Sequence, residues 1–138
     1  MIQLSETGEE FEVWKPLPNL SGEFELLEIR DSENGLLVTL ESESGRSLGI
    51  HLHEPIAYRV TALGLNAYWN TFESQAAAFG VFWQALRSQW IETLEPDPAA
   101  GPIELSHFLV LTSESAIEIL AAEPPHVSWF DNFFGDAT

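Results

Sequence analysis

His51-Leu52-His53-Glu54 places two imidazoles two residues apart. On an extended strand, side chains at i and i+2 project from the same face, so this pair can share one metal ion. His51 and His53 are therefore the candidate metal ligands. The plain alternative is two solvated histidines on the wet face of a sheet, near Glu41 or Glu43. Carboxylates also recur in pairs: Glu9-Glu10, Glu41 with Glu43, and Glu114 with Glu118. In a chain with 22 acids such pairs arise from composition alone, and a pair that cleaved a glycosidic bond would need a cleft that no spacing reveals. There is no Gly-x-Ser-x-Gly elbow, no Gly-rich phosphate loop, no cysteine and a single lysine, Lys15. No catalytic residue is assigned, no cofactor is expected, and the chain is read as non-enzymatic.

Gly45, six residues before His51, resembles the first half of the cupin barrel motif. A cupin carries a glutamate a few residues past its second histidine, where this chain has Ala57 and Tyr58, and no second half follows. His107 and His126 are the only other histidines that could supply a third ligand. A small metal- or ligand-binding enzyme using His51 and His53 thus stands as the alternative reading.

Charge says more about partners than about chemistry. Asp and Glu number 22 against 5 Lys and Arg, a formal net charge of −17 over 138 residues. Nucleic acid and anionic bilayers are excluded as partners, because both need Lys and Arg to displace counterions. A basic protein surface is favoured, and its encounter rate would be raised. Solubility in a saline medium is the competing explanation, against which five Trp and nine Phe weigh mildly. The acids are not confined to a tail. Between Pro55 and Ile91 there is one acid, Glu73, beside Arg59, Arg87 and a run of aromatics. An apolar centre with acidic flanks is the pattern of one folded unit, expected over 1–138 with 1–22 a partly irregular lead-in. No run of 18 apolar residues occurs, and Met1 to Glu6 lacks a basic region followed by an apolar run, so a cytoplasmic protein without a signal peptide is expected.

The elements that must position these residues begin with a short stretch containing Phe11, Val13 and Leu17. A strand is expected from residue 23 to 30, with Phe24 inward and Glu25 and Glu28 outward. A bulge at Leu26-Leu27 resets its phase. Asn34-Gly35 is a hairpin dipeptide because both residues accept positive φ. The next strand points Leu36, Val38 and Leu40 inward and Glu41 and Glu43 outward. After a turn at Ser44-Gly45-Arg46, Leu48, Ile50 and Leu52 face in while His51 and His53 face out. Ile56, Tyr58 and Val60 are read as a third inward set, with Arg59 outward. Phe79, Phe82, Trp83, Leu86 and Trp90 recur at helical spacing, which predicts one long helix over 74–94 with Ser74 as N-cap. A strand at 107–112, a helix opened by a Ser115-x-x-Glu118 capping box and a strand at 127–130 follow. The expected fold is α+β: an antiparallel meander of about five strands, the long helix packed on it, and a C-terminal strand–helix–strand unit.

Two stretches, Leu48 to Thr61 and His107 to Pro125, are similar in order to small bacterial immunity-type proteins. The likeness covers 33 residues, 14 in one stretch and 19 in the other. Such proteins bind and neutralise toxin domains, so the resemblance implies a protein that covers the active site of a basic toxin domain. Carboxylates on the wet sheet face, Glu25, Glu28, Glu41 and Glu43 with His51, are the candidate contacts. Trp129, Phe130 and Phe133 in the C-terminal aromatic run would supply the anchor. That run would alternatively make a homodimer, giving a homo-oligomeric structural module.

Overall fold

The computed structural model describes residues 2–4, 9–18, 20, 22–63, 81–94, 99 and 104–130. They form two antiparallel sheets and one short helix. The elements are β1 (Ile2–Leu4), β2 (Glu9–Val13), β3 (Phe24–Ser32), β4 (Gly35–Ser42), β5 (Ser47–Leu52), β6 (Ala57–Ala62), β7 (Phe82–Arg87), α1 (Gln89–Glu92), β8 (Ser106–Leu111), β9 (Ser115–Ala121) and β10 (His126–Trp129). The larger sheet runs β1-β2-β7-β8-β9-β6 and the smaller β10-β5-β4-β3.

The smaller sheet follows directly from alternation. Leu36, Val38, Leu40, Leu48, Ile50 and Leu52 all point to one side and are buried, while Glu41, His51 and their neighbours take the other. Gly35 closes the β3–β4 hairpin with φ of 109° and Gly45 closes β4–β5 with φ of 85°. The β3–β4 register shifts between Leu26 and Glu28. That bulge returns Ile29 to the inner face and leaves Leu27 half exposed.

The core lies between the two sheets. Phe24, Val38, Leu40 and Ile50 meet Phe82, Phe108, Val110, Ile117 and Ile119 there. Trp14 closes one side, its ring 4.8 Å from Phe108 and 6.1 Å from Phe82. The opposite face of the larger sheet is buried as well, by a second cluster of Phe11, Leu63, Trp83, Leu109, Leu111 and Ala116. Each of these large side chains contributes about 1.5–3 kcal/mol by leaving water.

This double burial overturns the α+β expectation. Residues 82–87 are a strand, and among the described residues of the predicted long helix only Gln89–Glu92 is helical. Phe82 and Trp83 point to opposite faces of β7, and both are buried because both faces are covered. Residues 74–80 of the predicted helix lie outside the described residues. The helix predicted from Ser115 is the strand β9, so the capping box does not exist. A strand apolar on both faces reads as a continuous hydrophobic run, which periodicity cannot separate from a buried helix. Among the described residues the fold is mostly β with one short helix. β6 is corrected too: it leaves the meander and pairs with β9 at the edge of the larger sheet. Ile56, Tyr58 and Val60 are exposed, and Arg59 turns to the face expected to be inward. The strand at 127–130 forms as β10, shifted by one residue.

Gly35 is the tightest backbone position. A Cβ there would lie 2.1 Å from the Leu52 carbonyl oxygen, whereas one at Gly45 would meet nothing within 4 Å. Gly45→Ala should cost only the positive-φ penalty of about 1–2 kcal/mol. Gly35→Ala adds a backbone collision, so urea unfolding should show a clearly larger loss for it; equal midpoints would contradict this packing.

Candidate functional site

Two constellations stand out, one on each sheet. The first is open. Glu23, Phe24, Glu25, Glu41, Ser42, Glu43 and Ser113 line a pocket of about 280 Å³. Alternation around Phe24 and around Ser42 puts the four glutamates on the outer face at the end of β3 and β4. Glu25 sits directly opposite Glu41 in the register. The Glu23 N–H donates to Glu43 Oε1 at 3.2 Å, and the Ser113 N–H donates to the Phe24 carbonyl at 2.9 Å, which joins the β8–β9 turn to the pocket. Like charges facing each other across a strand pair are unfavourable unless a cation intervenes. None of the four has an ion-pair partner among the described residues. The arginines are engaged elsewhere: Arg30 with Glu28 at 2.8 Å, Arg59 with Glu118 at 2.6 Å, Arg87 with Glu92 at 3.0 Å, and Arg46 over the Trp129 ring at 4.1 Å.

Of the predicted contacts, Glu25, Glu41 and Glu43 are thus brought together, joined by Glu23, the outward-facing first residue of the expected strand and not one of the candidate contacts. Glu28 lies beyond the bulge and holds Arg30. His51 lies on the same outer face, on β5, with its Nε2 3.2 Å from the Asn34 carbonyl oxygen. Trp129 is not an open anchor. It packs on the inter-sheet core, stacked 6.3 Å from Phe24, because β10 pairs with β5 and turns Val127 and Trp129 inward. Phe130 is half-buried, and Phe133 lies outside the described residues.

The second constellation is closed, and the sequence reading missed it. On the far face of the larger sheet, Arg59 grips Glu118 through both carboxylate oxygens, at 2.6 and 3.0 Å. His107 Nε2 lies 2.9 Å from Glu118 Oε1, and its Nδ1 lies 2.7 Å from Ser88 Oγ. Ser88 caps α1 by accepting from the Ile91 N–H, and Glu9 accepts from the Gln89 N–H. One proton arrangement satisfies every group: Ser88 donates to Nδ1, Nε2–H donates to Glu118, and Arg59 donates twice. Trp90 completes the enclosure, its ring 4.0 Å under the Arg59 guanidinium and edge-on to His107 at 5.6 Å.

Serine, histidine and glutamate in line have the composition of a nucleophilic triad. The surroundings point to a structural role instead. His107 is fully buried, Glu118 is 1% exposed and Ser88 7%. The Ser88 hydroxyl is committed to α1 and to His107, and Arg59 takes the negative charge that would support an imidazolium. The network ties β6, β9, β8 and α1 together. Its signal in the sequence is a lone charge within each of two apolar strands, Glu118 between Ile117 and Ile119 and Arg59 between Tyr58 and Val60. A buried charge needs a partner.

Burial pushes the Glu118 carboxyl up, but the hydrogen bonds from His107 and Arg59, with the positive charge of Arg59, outweigh it and hold the carboxyl below its ordinary value of 4.5. A carboxyl depressed in the folded state adds stability above its unfolded value, and that stability is lost as pH falls through the folded value.

Compared with protein-family models, curated proteins and solved structures, the chain matches none. No helix among the described residues is long and apolar enough to cross a membrane.

Removing the Glu118 charge strands Arg59 and His107. Glu118→Gln should cost about 3 kcal/mol at neutral pH, the low end for a buried pair because half of the Arg59 side chain is exposed. The gap between wild type and variant should close as pH drops below 4.5, where the carboxyl of the unfolded chain takes up a proton, and on through the lower folded value. Denaturant titrations at a series of pH values measure it, and a gap independent of pH would refute the assignment.

Proposed function

We propose that this is a non-enzymatic, cytoplasmic binding protein that receives a basic protein partner on the acidic end of its smaller sheet. The observation that carries the reading is the pocket of Glu23, Glu25, Glu41 and Glu43, four carboxylates without a described cation in a chain of net charge −17. At about 280 Å³ the pocket is below the roughly 300–1,000 Å³ of most small-molecule sites and suits one lysine or arginine side chain. The surrounding negative field would steer the partner and speed encounter. Affinity would come from the desolvated side chain in the pocket, while rim charges set rate and specificity. The likeness to immunity-type proteins suggests the partner's class: a toxin domain whose basic substrate-binding surface is covered. A nuclease is the natural example, since its own surface is built to hold phosphates.

A charge-matched comparison tests this. Partners captured from native lysate on the full chain would be measured against a variant with Glu23, Glu25, Glu41 and Glu43 changed to Gln. A second variant would carry Gln at the exposed Glu33, Glu54, Glu104 and Glu123, with the same net charge. The pocket variant should slow association by about tenfold or more at low salt, and the control should stay near wild type. Raising the ionic strength should remove the advantage of wild type. Equal loss in both variants would reduce the effect to net charge and end the site assignment.

A further inference from the structure

β6 ends the larger sheet, and no described strand lies beyond it. The hydrogen-bond phase decides which of its main-chain groups face that side. The Leu63 N–H donates to the Glu114 carbonyl oxygen at 2.9 Å, in step with the Thr61–Ala116, Arg59–Glu118 and Ala57–Leu120 pairs. Alternate residues of an antiparallel strand bond to a given neighbour, so Ala57, Arg59 and Thr61 turn their N–H and C=O groups to β9. The phase of β9 agrees. The Thr112 N–H donates to the Ser115 carbonyl oxygen, which turns the odd-numbered residues of β9 to β8 and leaves the even-numbered ones for β6. Tyr58, Val60 and Ala62 therefore point their main-chain groups off the edge of the sheet.

The side chains at this edge are apolar. Tyr58 stands opposite Ile119 and Val60 opposite Ile117, two buried members of the inter-sheet core. Directly opposite residues share a face, so Tyr58 and Val60 carry that core surface out into solvent. They are 36% and 43% exposed, and Ile56, just before the strand, is 51% exposed. Acids bracket this apolar ledge. Glu54 and Glu123, both exposed, lie three residues beyond the Ala57–Leu120 pair on their two chains, and exposed Glu114 lies at the Leu63 end. The one base in the strand, Arg59, is taken by Glu118.

We propose that β6 is a docking edge for an extended segment of a partner protein, one that alternates apolar side chains and carries Lys or Arg at both ends. Such a segment would join the larger sheet as an added antiparallel strand. Its main chain would meet the open groups of Tyr58, Val60 and Ala62, and its apolar side chains would cover Tyr58 and Val60. Its terminal cations would face Glu54 and Glu123 at one end and Glu114 at the other. A second copy fits poorly. Antiparallel β6–β6 pairing about a two-fold axis sets the Glu54 and Glu123 end of one copy against the Glu114 end of the other, in a chain of net charge −17. This edge is separate from the acidic pocket and does not rest on it.

The probe is a peptide, Lys-Arg-Val-Thr-Ile-Thr-Val-Arg-Lys, with blocked ends, added to the full chain while amide hydrogen exchange is followed by NMR. In the free chain the Tyr58, Val60 and Ala62 amides should exchange fast. Saturating peptide should slow them about tenfold or more and leave Arg59 and Thr61, already bonded to β9, unchanged. The same peptide N-methylated at its Val and Ile amides keeps the side chains and loses the donors, and should bind about tenfold or more weakly. Glu in place of its Lys and Arg should weaken it similarly. Val60→Pro removes an outward N–H without touching the β9 ladder, and Tyr58→Lys is a milder variant; circular dichroism checks that each is folded. Both should lose the peptide, whereas the variant with Gln at 23, 25, 41 and 43 should bind it within about twofold of wild type, which separates this edge from the pocket. Four results would each overturn the proposal: no protection of the three amides by peptide, equal binding of the N-methylated peptide, binding that survives both Val60→Pro and Tyr58→Lys, or amides already slow in the free chain. Slow exchange at every concentration would mean that the chain closes its own edge, and protection that grows with protein concentration would give the edge to a second copy.

Discussion

One buried carboxylate organises the larger sheet. Glu118 lies in the middle of β9, on a face closed off from water, and a lone charge there would be prohibitive. Everything adjacent is arranged to satisfy it. β6 is placed beside β9 with Arg59 opposite Glu118, and β8 contributes His107. The other ring nitrogen of His107 holds Ser88, the residue that starts α1. Hydrophobic pairing alone would tolerate β6 slipped along β9, since Val60, Tyr58 and Ala62 offer similar contacts. A two-toothed arginine–carboxylate pair does not tolerate such a slip. The ion pair thus specifies register more than it adds net stability, as expected of buried charge pairs held by geometry.

That use of Arg59 bears on the whole surface. A chain with 5 bases and 22 acids can neutralise few of its carboxylates. Three of the arginines bind carboxylates at Glu28, Glu92 and Glu118, and a fourth lies on Trp129. The pocket at the start of β3 keeps its four glutamates close together with no cation paired to them among the described residues. Such an arrangement lowers the stability of the free protein somewhat and favours any cation supplied from outside. Folding and binding make opposite demands on the few bases available. Of the arginines that bind carboxylates, Arg59 alone reaches a buried one, while Arg30 and Arg87 form pairs at the surface.

What could be read in advance divides along the same line between the two sheets. The smaller sheet has one wet face, so polarity alternates along β3, β4 and β5, and the Asn34-Gly35 turn and the Leu26-Leu27 bulge stand out. Glu25, Glu41, Glu43, His51 and His53 could all be assigned to the outer face for this reason. The larger sheet is covered on both faces, so β7 and β9 carry apolar residues at every phase. Val81-Phe82-Trp83 and Ala116 to Ala121 then resemble buried helix. Glu118 was read as part of a helix cap because local spacing alone does not reveal a cross-strand arginine. Tyr58 and Val60 were placed inward on hydrophobicity, although the need of Glu118 for Arg59 turns β6 the other way. The pairing of His126 with His51 was equally hidden, since nothing local in β5 announces which distant strand will pair with it.

The same division separates the surfaces open to solvent from those that are packed. A sheet closed on both faces has no surface to offer except its edges. Its exposed edge, β6, presents Ile56, Tyr58 and Val60 to water. An apolar edge strand invites pairing with other chains. Here Pro55 stands just before it, Arg59 is held within it by Glu118, and the high negative charge of the whole chain works against pairing of identical copies. The outer face of the smaller sheet carries half-buried and exposed side chains among the described residues, and substitutions there alter charge without entering the core. The acidic pocket occupies that face, on strands whose inner side chains are almost wholly buried. Rigid strands hold the groups in place, and solvent on the outer side leaves room for whatever binds.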